Sequence, residues 1–229
     1  MVDVIDLVRR LKTEAMDARD LGDLPRALDL LREAEDELRS TLEDLKQHRE
    51  SGDPPGRQEV AVANQLVHIL GTVGGTLRRA GEYQNAVAAY DAGHLFETQD
   101  AGYGIVNSYN LVQRLVTRVF VEPLAAGGGQ LVAGLDVREE LALARNELEE
   151  QIAGARSGDE YAIADLATVL LLLDDPRWEK AMRMFVASNP SPYAVEVTEE
   201  LLTELRNRVG GKLGGVLAEA VERLEPEVA

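Results

Sequence analysis

Few residues of this chain have the types and spacing that catalysis or metal binding requires. There are three histidines, His48, His68 and His94, and no cysteine. The histidines form no His-Glu-x-x-His motif and no short ligand pair of the kind that binds zinc. His68 and His94 fall on two neighbouring predicted helices and could approach each other, but we expect no shared metal. The sequence therefore predicts no metal, no other cofactor, no disulfide and no cysteine nucleophile.

The glycine-rich and acidic motifs are also incomplete. Residues 102–107 (GYGIVN) lack the third glycine of a dinucleotide-binding loop and follow no strand, so we interpret them as a helix start. Residues 210–212 (GGK) lack the rest of a phosphate-binding loop, and we interpret them as a helix break. Asp17, Asp20 and Asp23 lack the glycine and terminal glutamate of a calcium loop. No Gly-x-Ser-x-Gly motif is present. We therefore expect no enzymatic activity.

The charge balance bears on the partners. With 41 acidic against 24 basic residues the net charge is −17, which repels nucleic acids and anionic membranes. No uninterrupted apolar run approaches the roughly 18 residues that a membrane-spanning helix needs. The first twelve residues (MVDVIDLVRRLK) predict an amphipathic helix with acidic positions rather than a signal peptide. We expect a cytoplasmic protein that binds neither nucleic acid nor membrane.

The composition favours an all-α fold. Aromatic residues make up only 4% of the chain, which disfavours a sheet-rich core, and alanine, leucine, valine, glutamate and arginine dominate. No segment shows the period-two alternation of a strand. Helix should therefore exceed roughly 65% of the residues, well above the average for globular proteins.

Residues 67–98 contain a helical hairpin around which the rest can be organised. One apolar stripe contains Leu70, Gly74 and Leu77, and a second begins at Tyr83, with Gly81 at the break between them. A turn this short forces the two helices to run antiparallel. Glycine inside a helix costs about 1 kcal/mol relative to alanine, so it indicates close packing here. We expect Gly74 to face Ala86 across the hairpin.

This hairpin resembles the tetratricopeptide (TPR) repeat, a helix–turn–helix unit of about 34 residues. With Val67 as first position, six residues match the signature of that family: Leu70, Gly74, Gly81, Tyr83, Ala86 and Tyr90. Gly93 and Thr98 depart from it. With Val8 as first position, residues 2–47 match a second, more diverged repeat. Because one TPR repeat cannot bury its own apolar face, the resemblance implies further repeats.

The remaining chain is predicted to continue the array. We expect one TPR-like solenoid domain over residues 1–229, with repeats at about 2–47, 59–98, 101–154 and 158–190 and a cap at 193–225. Within the third repeat, 101–121 is a predicted helix and 122–134 an irregular connection. Residues 100–208 also resemble, more weakly, the TPR-like TRAF-binding region of apoptosis signal-regulating kinases and bacterial conflict-system proteins. That resemblance implies a signalling scaffold or sensor.

The acidic residues are unevenly distributed. None lies between Val60 and Gly81 or between Ala101 and Val121, the predicted first helices of two hairpins. In TPR arrays the first helices line a concave groove. Groove positions carried over by this resemblance are Arg9, Lys12, Met16, Arg19 and Asp20 in the first repeat and His68, Gly71, Gly75, Arg78 and Arg79 in the second. The third predicted helix adds a polar stripe that includes Asn107, Asn110, Arg114, Thr117 and Arg118.

From these features we expect a locally basic groove in an acidic protein. The predicted partner-binding residues are His68, Arg78, Arg79, Asn107, Asn110, Arg114 and Arg118. Arginine suits such a groove because its planar head pairs bidentately with carboxylate or phosphate. The expected function is a non-catalytic scaffold or adaptor that binds a peptide or helix of another protein through an acidic or carboxylate-bearing segment. The alternatives are a sensor of a small anion such as a nucleotide and a structural oligomer.

Overall fold

The computed structural model describes residues 2–50, 52–98, 101–121, 135–209 and 211–224. Within these ranges there are ten α-helices and no strand, and 80% of the residues are helical. The all-α prediction is confirmed. The helices are α1 (Val2–Asp20), α2 (Leu24–Gln47), α3 (Arg57–Arg79), α4 (Tyr83–Glu97), α5 (Tyr109–Val121), α6 (Leu135–Ala153), α7 (Glu160–Leu172), α8 (Trp178–Ala187), α9 (Pro192–Arg208) and α10 (Gly211–Glu222).

The chain divides into two compact units, 1–117 and 118–229, with the boundary inside α5, whereas the sequence predicted a single domain. The boundaries of the predicted repeats agree with the ends of the observed helices to within a few residues, except at the start of α5. The predicted irregular connection 122–134, together with Asp100 and Gly210, lies outside the described residues.

Unit 1 is built from helices that pack against their neighbours in sequence. α1 packs on α2, α2 on α3 and α3 on α4, with a smaller contact between α1 and α3. Gly22 lies in the turn between α1 and α2, and Gly81 lies in the turn between α3 and α4. Their φ angles are 82° and 77°, a backbone conformation that glycine adopts without steric cost. The core includes Val8, Leu11, Ala15, Leu31, Leu38, Leu66, Leu70, Leu77 and Tyr90.

Gly74 packs closely, but on a different partner from the predicted one. A Cβ atom at Gly74 would lie 2.6 Å from Cε1 of Tyr90, within the tyrosine ring's own volume. Ala86 is fully buried one turn earlier on α4, but it is not among the atoms nearest to Gly74. The large Tyr90 side chain lies in the space that the missing side chain of Gly74 leaves. The prediction of close helix packing holds, and its contact pair is corrected from Ala86 to Tyr90.

The predicted helix 101–121 is shorter than expected. α5 begins at Tyr109, and Gly102 and Gly104 adopt φ angles of 72° and 64° in the segment before it. These left-handed conformations interrupt a right-handed helix, so residues 102–107 are not a helix start as predicted. The segment is anchored by Tyr103, which is buried and lies 5.9 Å from Phe96 between ring centroids.

Unit 2 contains the last part of α5 and helices α6 to α10. α6 packs on α7, α7 on α8 and α9 on α10, and both α9 and α10 also contact α7. Every residue of α7 from Ala162 to Leu172 is buried, which makes it the central helix of this unit. α8 contributes Trp178, Ala181 and Phe185 to the core, as their spacing predicted.

Asp159 fixes the start of α7. Its carboxylate accepts hydrogen bonds from the backbone N–H groups of Tyr161 (3.0 Å) and Ala162 (3.1 Å) and from Nε of Arg156 (2.9 Å). Partial burial acts to raise the pKa of Asp159, but the Arg156 guanidinium and the two N–H donors outweigh it and hold that pKa below its usual value.

We expect Asp159→Ala to lower the free energy of unfolding by about 1–2 kcal/mol at pH 7, as loss of a helix N-cap usually does. A lowered native pKa contributes stability above the unfolded-state pKa of about 4, and that contribution is lost as pH falls through the native value. Urea denaturation of the parent protein and of Asp159→Ala at pH 7 and pH 3 measures the difference in the free energy of unfolding. An equal difference at the two pH values would contradict a lowered pKa of Asp159 in the native state.

α3 is the one described helix that is long and apolar enough to cross a membrane, judged by length and composition alone. Its most apolar window has a mean hydropathy of 1.3 and is 61% buried within the structure. A helix buried in the core of a folded protein meets the same criterion. α3 supplies Leu66, Ile69 and Leu70 to the core of unit 1.

Candidate functional site

One polar surface of unit 1 contains most of the predicted groove positions of the first two hairpins. Gly71 is not among them, because it is buried and a Cβ there would lie 2.9 Å from Cε1 of Tyr109. On α1 the surface includes Arg9, Lys12, Met16 and Arg19, which are spaced three or four residues apart and therefore share a side of the helix. On α3 the corresponding stripe is Asn64, His68, Thr72, Gly75 and Arg79. None of these nine residues is buried. We call this surface, which lies on two helices that contact each other, the α1/α3 face.

Lys12 lies in the first stripe and His68 in the second. Lys12 is half-buried, and this burial lowers its pKa. Burial also lowers the pKa of His68, the positive charge of Lys12 lowers it further, and the carboxylate of Glu97 acts in the opposite direction. The two side chains lie on helices that contact each other, α1 and α3.

No carboxylate among the described residues pairs with Lys12. Among the described residues it has neither an ion pair nor a hydrogen bond, unlike Arg9 and Arg19, which pair with Asp6 (2.7 Å) and Asp20 (3.3 Å). A half-buried ammonium group without a counter-charge carries a desolvation cost that a bound anion would offset. The α1/α3 face is therefore chemically suited to an anionic group.

The predicted arginines differ in exposure and in the side chains that they contact. Arg79 is exposed at the end of α3, whereas Arg78 is half-buried and donates from Nη1 to Oε1 of Gln113 at 2.9 Å. Arg114 pairs with Asp91 of α4 at 3.0 Å, and Arg118 pairs with Glu140 of α6 at 2.8 Å. Arg114 and Arg118 are thus each engaged by an internal carboxylate, because the acid gap along α5 does not extend to the helices packed beside it.

Asn107 and Asn110 support the fold of unit 1. The side chain of Asn107 accepts a hydrogen bond from the backbone N–H of Tyr109 (3.0 Å) and so caps the start of α5. Asn110 is completely buried, so no partner could contact it in this conformation. Its Nδ2 donates to Oε1 of Glu97 (2.8 Å) and to the carbonyl oxygen of Val67 (3.3 Å). The predicted groove stripe on α5 is corrected here to a structural element.

Glu97 is the centre of this buried network, and the sequence analysis did not single it out. Its side chain is 1% exposed, accepts from the backbone N–H of Asn110 (3.4 Å) and lies 3.4 Å from Nδ1 of His94. A carboxylate at a helix N-terminus is electrostatically favourable, so Glu97 stabilises the start of α5 from the end of α4. No periodicity or motif marks Glu97, because its partners are distant in sequence.

The described residues contain no group of three or more histidine, cysteine, aspartate or glutamate side chains that could hold a metal ion. His94 is engaged with Glu97, and His68 lies on the α1/α3 face.

A surface of opposite charge occurs in unit 2. Along α9 a shallow open depression is lined by Glu196, Glu199, Glu200, Thr203, Glu204 and Asn207. These residues repeat every three to four positions and so share one side of the helix. Four glutamates thus share one side of α9 in unit 2.

No model of a known protein family matches the chain, and no curated protein or solved structure is significantly similar to it.

Proposed function

We propose that this protein is a non-catalytic protein-interaction scaffold with a TPR-like arrangement of helical hairpins. Its binding surface is the α1/α3 face, and its partner is another protein that presents an acidic or carboxylate-bearing segment. The observation that carries this proposal is the half-buried Lys12, which has no counter-charge among the described residues of a protein with net charge −17. A signalling or conflict (defence) system is the setting that the family resemblance implies, and the composition favours the cytoplasm.

Two features of unit 1 support the TPR-like part of the proposal. Successive helices pack in hairpins, and the first helices of the two hairpins, α1 and α3, also contact each other. The resemblance assigns Lys12 on α1 and His68 on α3 to groove positions of consecutive repeats. A repeat stack would bring these two helices into contact, since equivalent helices of adjacent repeats lie side by side.

The proposed binding residues differ from the set that the sequence indicated. His68 and Arg79 are exposed on α3 and remain in the set, and Lys12 joins them. Arg78 is half-buried and donates a hydrogen bond to Gln113. The remaining predicted residues act within the fold: Asn107, Asn110, Arg114 and Arg118.

A second candidate function follows from the same observation. An unneutralised lysine also suits a small anion such as a nucleotide, which would make the protein a sensor. A peptide differs from a small anion because it contacts the length of the α1/α3 face rather than one point. The stripe from Asn64 to Arg79 offers a long polar surface, which favours the peptide.

Photo-crosslinking in the cells that naturally make the protein tests the proposed surface. We expect a photoreactive amino acid at Thr72, on the α1/α3 face, to crosslink to a protein partner. The same amino acid at Glu33, exposed on α2, should not. Adding Lys12→Gln should reduce the Thr72 crosslink several-fold. Equal crosslinking at both positions, or a yield that is insensitive to Lys12, would contradict the proposal.

A further inference from the structure

Within unit 1, the boundary between α5 and the α3/α4 hairpin contains polar side chains that share one side of α5. They are spaced three or four residues apart along the helix. We call this boundary the α5 seam, and its residues on α5 are Asn110, Gln113, Arg114 and Thr117. Among the described residues, Tyr109 is the one member of α5 that packs against the apolar core of α1 to α4. The seam therefore joins α5 to the hairpin largely through polar groups.

Two contacts of the seam are of a kind that water can replace. Gln113 accepts a hydrogen bond from the half-buried Arg78 of α3 (2.9 Å). Arg114 pairs with Asp91 of α4 (3.0 Å), whose side chain is 50% exposed. Polar contacts close to solvent contribute little net stability, because separation exchanges them for contacts with water. These two contacts therefore hold α5 only weakly.

The seam also buries polar atoms without a hydrogen-bond partner. Oδ1 of Asn110 and Oγ1 of Thr117 are both closed off from solvent, and neither has a partner among the described residues. A buried polar atom of this kind carries a desolvation cost that contact with water removes. Separation of α5 from the hairpin restores that contact. This gain offsets part of the free energy lost when Asn110 leaves Glu97, its acceptor at 2.8 Å.

Gly102 and Gly104 provide a hinge shortly before α5. Both have left-handed φ angles, and a Cβ at either position would meet nothing within 4 Å. Glycine takes positive and negative φ angles with similar ease. A change of φ at these two positions can therefore move the start of α5 without a steric clash, as hinge residues do in other proteins.

We propose that the α5 seam is a built-in opening point, at which residues 109–117 separate from the α3/α4 hairpin while α1 to α4 stay folded. The side chain of Glu97, which is 1% exposed in the closed form, then becomes accessible to water. Closing is specific, because Asn110 fits beside Gly93 only in the absence of a Cβ, which would lie 2.6 Å from Cγ of Asn110. Opening requires no partner on the α1/α3 face.

Thiol labelling of the full chain measures the opening, because the chain contains no cysteine of its own. Thr117→Cys places a thiol on the seam and Thr76→Cys places one on α3, and both threonines are completely buried. Without urea, we expect Thr117→Cys to be labelled about 100-fold faster than Thr76→Cys, since local opening costs less free energy than global unfolding. Its rate should depend only weakly on urea, because opening exposes little surface.

A second substitution in each cysteine variant shows which contacts break on opening. Glu97→Gln weakens a charge-assisted hydrogen bond that exists only in the closed form, so labelling of both cysteines should accelerate about tenfold. Val62→Ala weakens the core of α1 to α4, which persists in the open form, so it should accelerate labelling of Thr76→Cys alone. Glu33→Gln, exposed on α2, should change neither rate.

Three outcomes would overturn the inference. One is equal labelling rates with equal urea dependence for Thr117→Cys and Thr76→Cys, because α5 would then leave the hairpin only when unit 1 unfolds. The others are acceleration of Thr117→Cys labelling by Val62→Ala and the absence of any response to Glu97→Gln. Gln113→Cys, also buried on the seam, is the second reporter and should be labelled at least as fast as Thr117→Cys.

Discussion

Replacing Gly74 with alanine is expected to lower the free energy of unfolding by about 1–3 kcal/mol, the usual cost of overpacking a core. The added Cβ would lie 2.6 Å from Cε1 of Tyr90, which is closer than two such atoms can approach. Tyr90 is completely buried and packs edge-on against Tyr109 with 6.3 Å between ring centroids, so its ring has little room to move. α3 and α4 must therefore separate, and chemical denaturation measures the loss.

Gly75→Ala is the matched control because it makes the same change one residue along α3. Its Cβ would lie 3.7 Å from Oη of Tyr90, an ordinary van der Waals distance. Since alanine favours helix over glycine by up to about 1 kcal/mol, we expect this variant to be as stable as the parent or more so. Equal destabilisation by the two substitutions would mean that Tyr90 does not occupy the space beside Gly74.

Asn110→Asp is expected to have the largest effect of any conservative substitution in unit 1. The change replaces a donor 2.8 Å from Oε1 of Glu97 with a second carboxylate in a fully buried position. A buried charge that loses its partner typically costs about 3–5 kcal/mol. A Cβ at Gly93 would lie 2.6 Å from Cγ of Asn110, so α4 passes too close for the new side chain to turn away.

The pH dependence of this variant separates charge repulsion from lost packing. Two adjacent carboxylates can share one proton, so the deficit relative to the parent should be smaller at pH 4 than at pH 7. Asn107→Asp is the control, because an aspartate there still accepts the hydrogen bond from the Tyr109 N–H and suits a helix N-terminus. Its effect should stay within about 0.5 kcal/mol. A pH-independent deficit in Asn110→Asp would contradict the role of Glu97.

Both predictions concern contacts that the sequence indicated only in part. The glycines of α3 signal close packing, because glycine is costly in a helix unless the space is needed. The identity of the group that fills the space, Tyr90 rather than Ala86, depends on side-chain size and rotamer. Local periodicity carries no information about either quantity. The same limit applies to Glu97, whose partners lie on other helices.

The amino-acid sequence by itself determined the helices and most of their boundaries. Apolar spacing is a local property, so it predicts α1 to α4 and the turns at Gly22 and Gly81 from neighbouring residues alone. The start of α5 was predicted wrongly because glycine adopts positive and negative φ angles alike, so the sequence does not show which one Gly102 and Gly104 take. In the structure both glycines are left-handed, and Tyr103 between them is buried.

The tertiary structure alone decided which basic residues remain unneutralised. Along the sequence Lys12, Arg114 and Arg118 look equivalent, since each lies in a helix face without acids. Packing brings Asp91 to Arg114 and Glu140 to Arg118, whereas none of the described carboxylates pairs with Lys12. Pairing between charges depends on distance in space, and residues far apart in sequence set that distance.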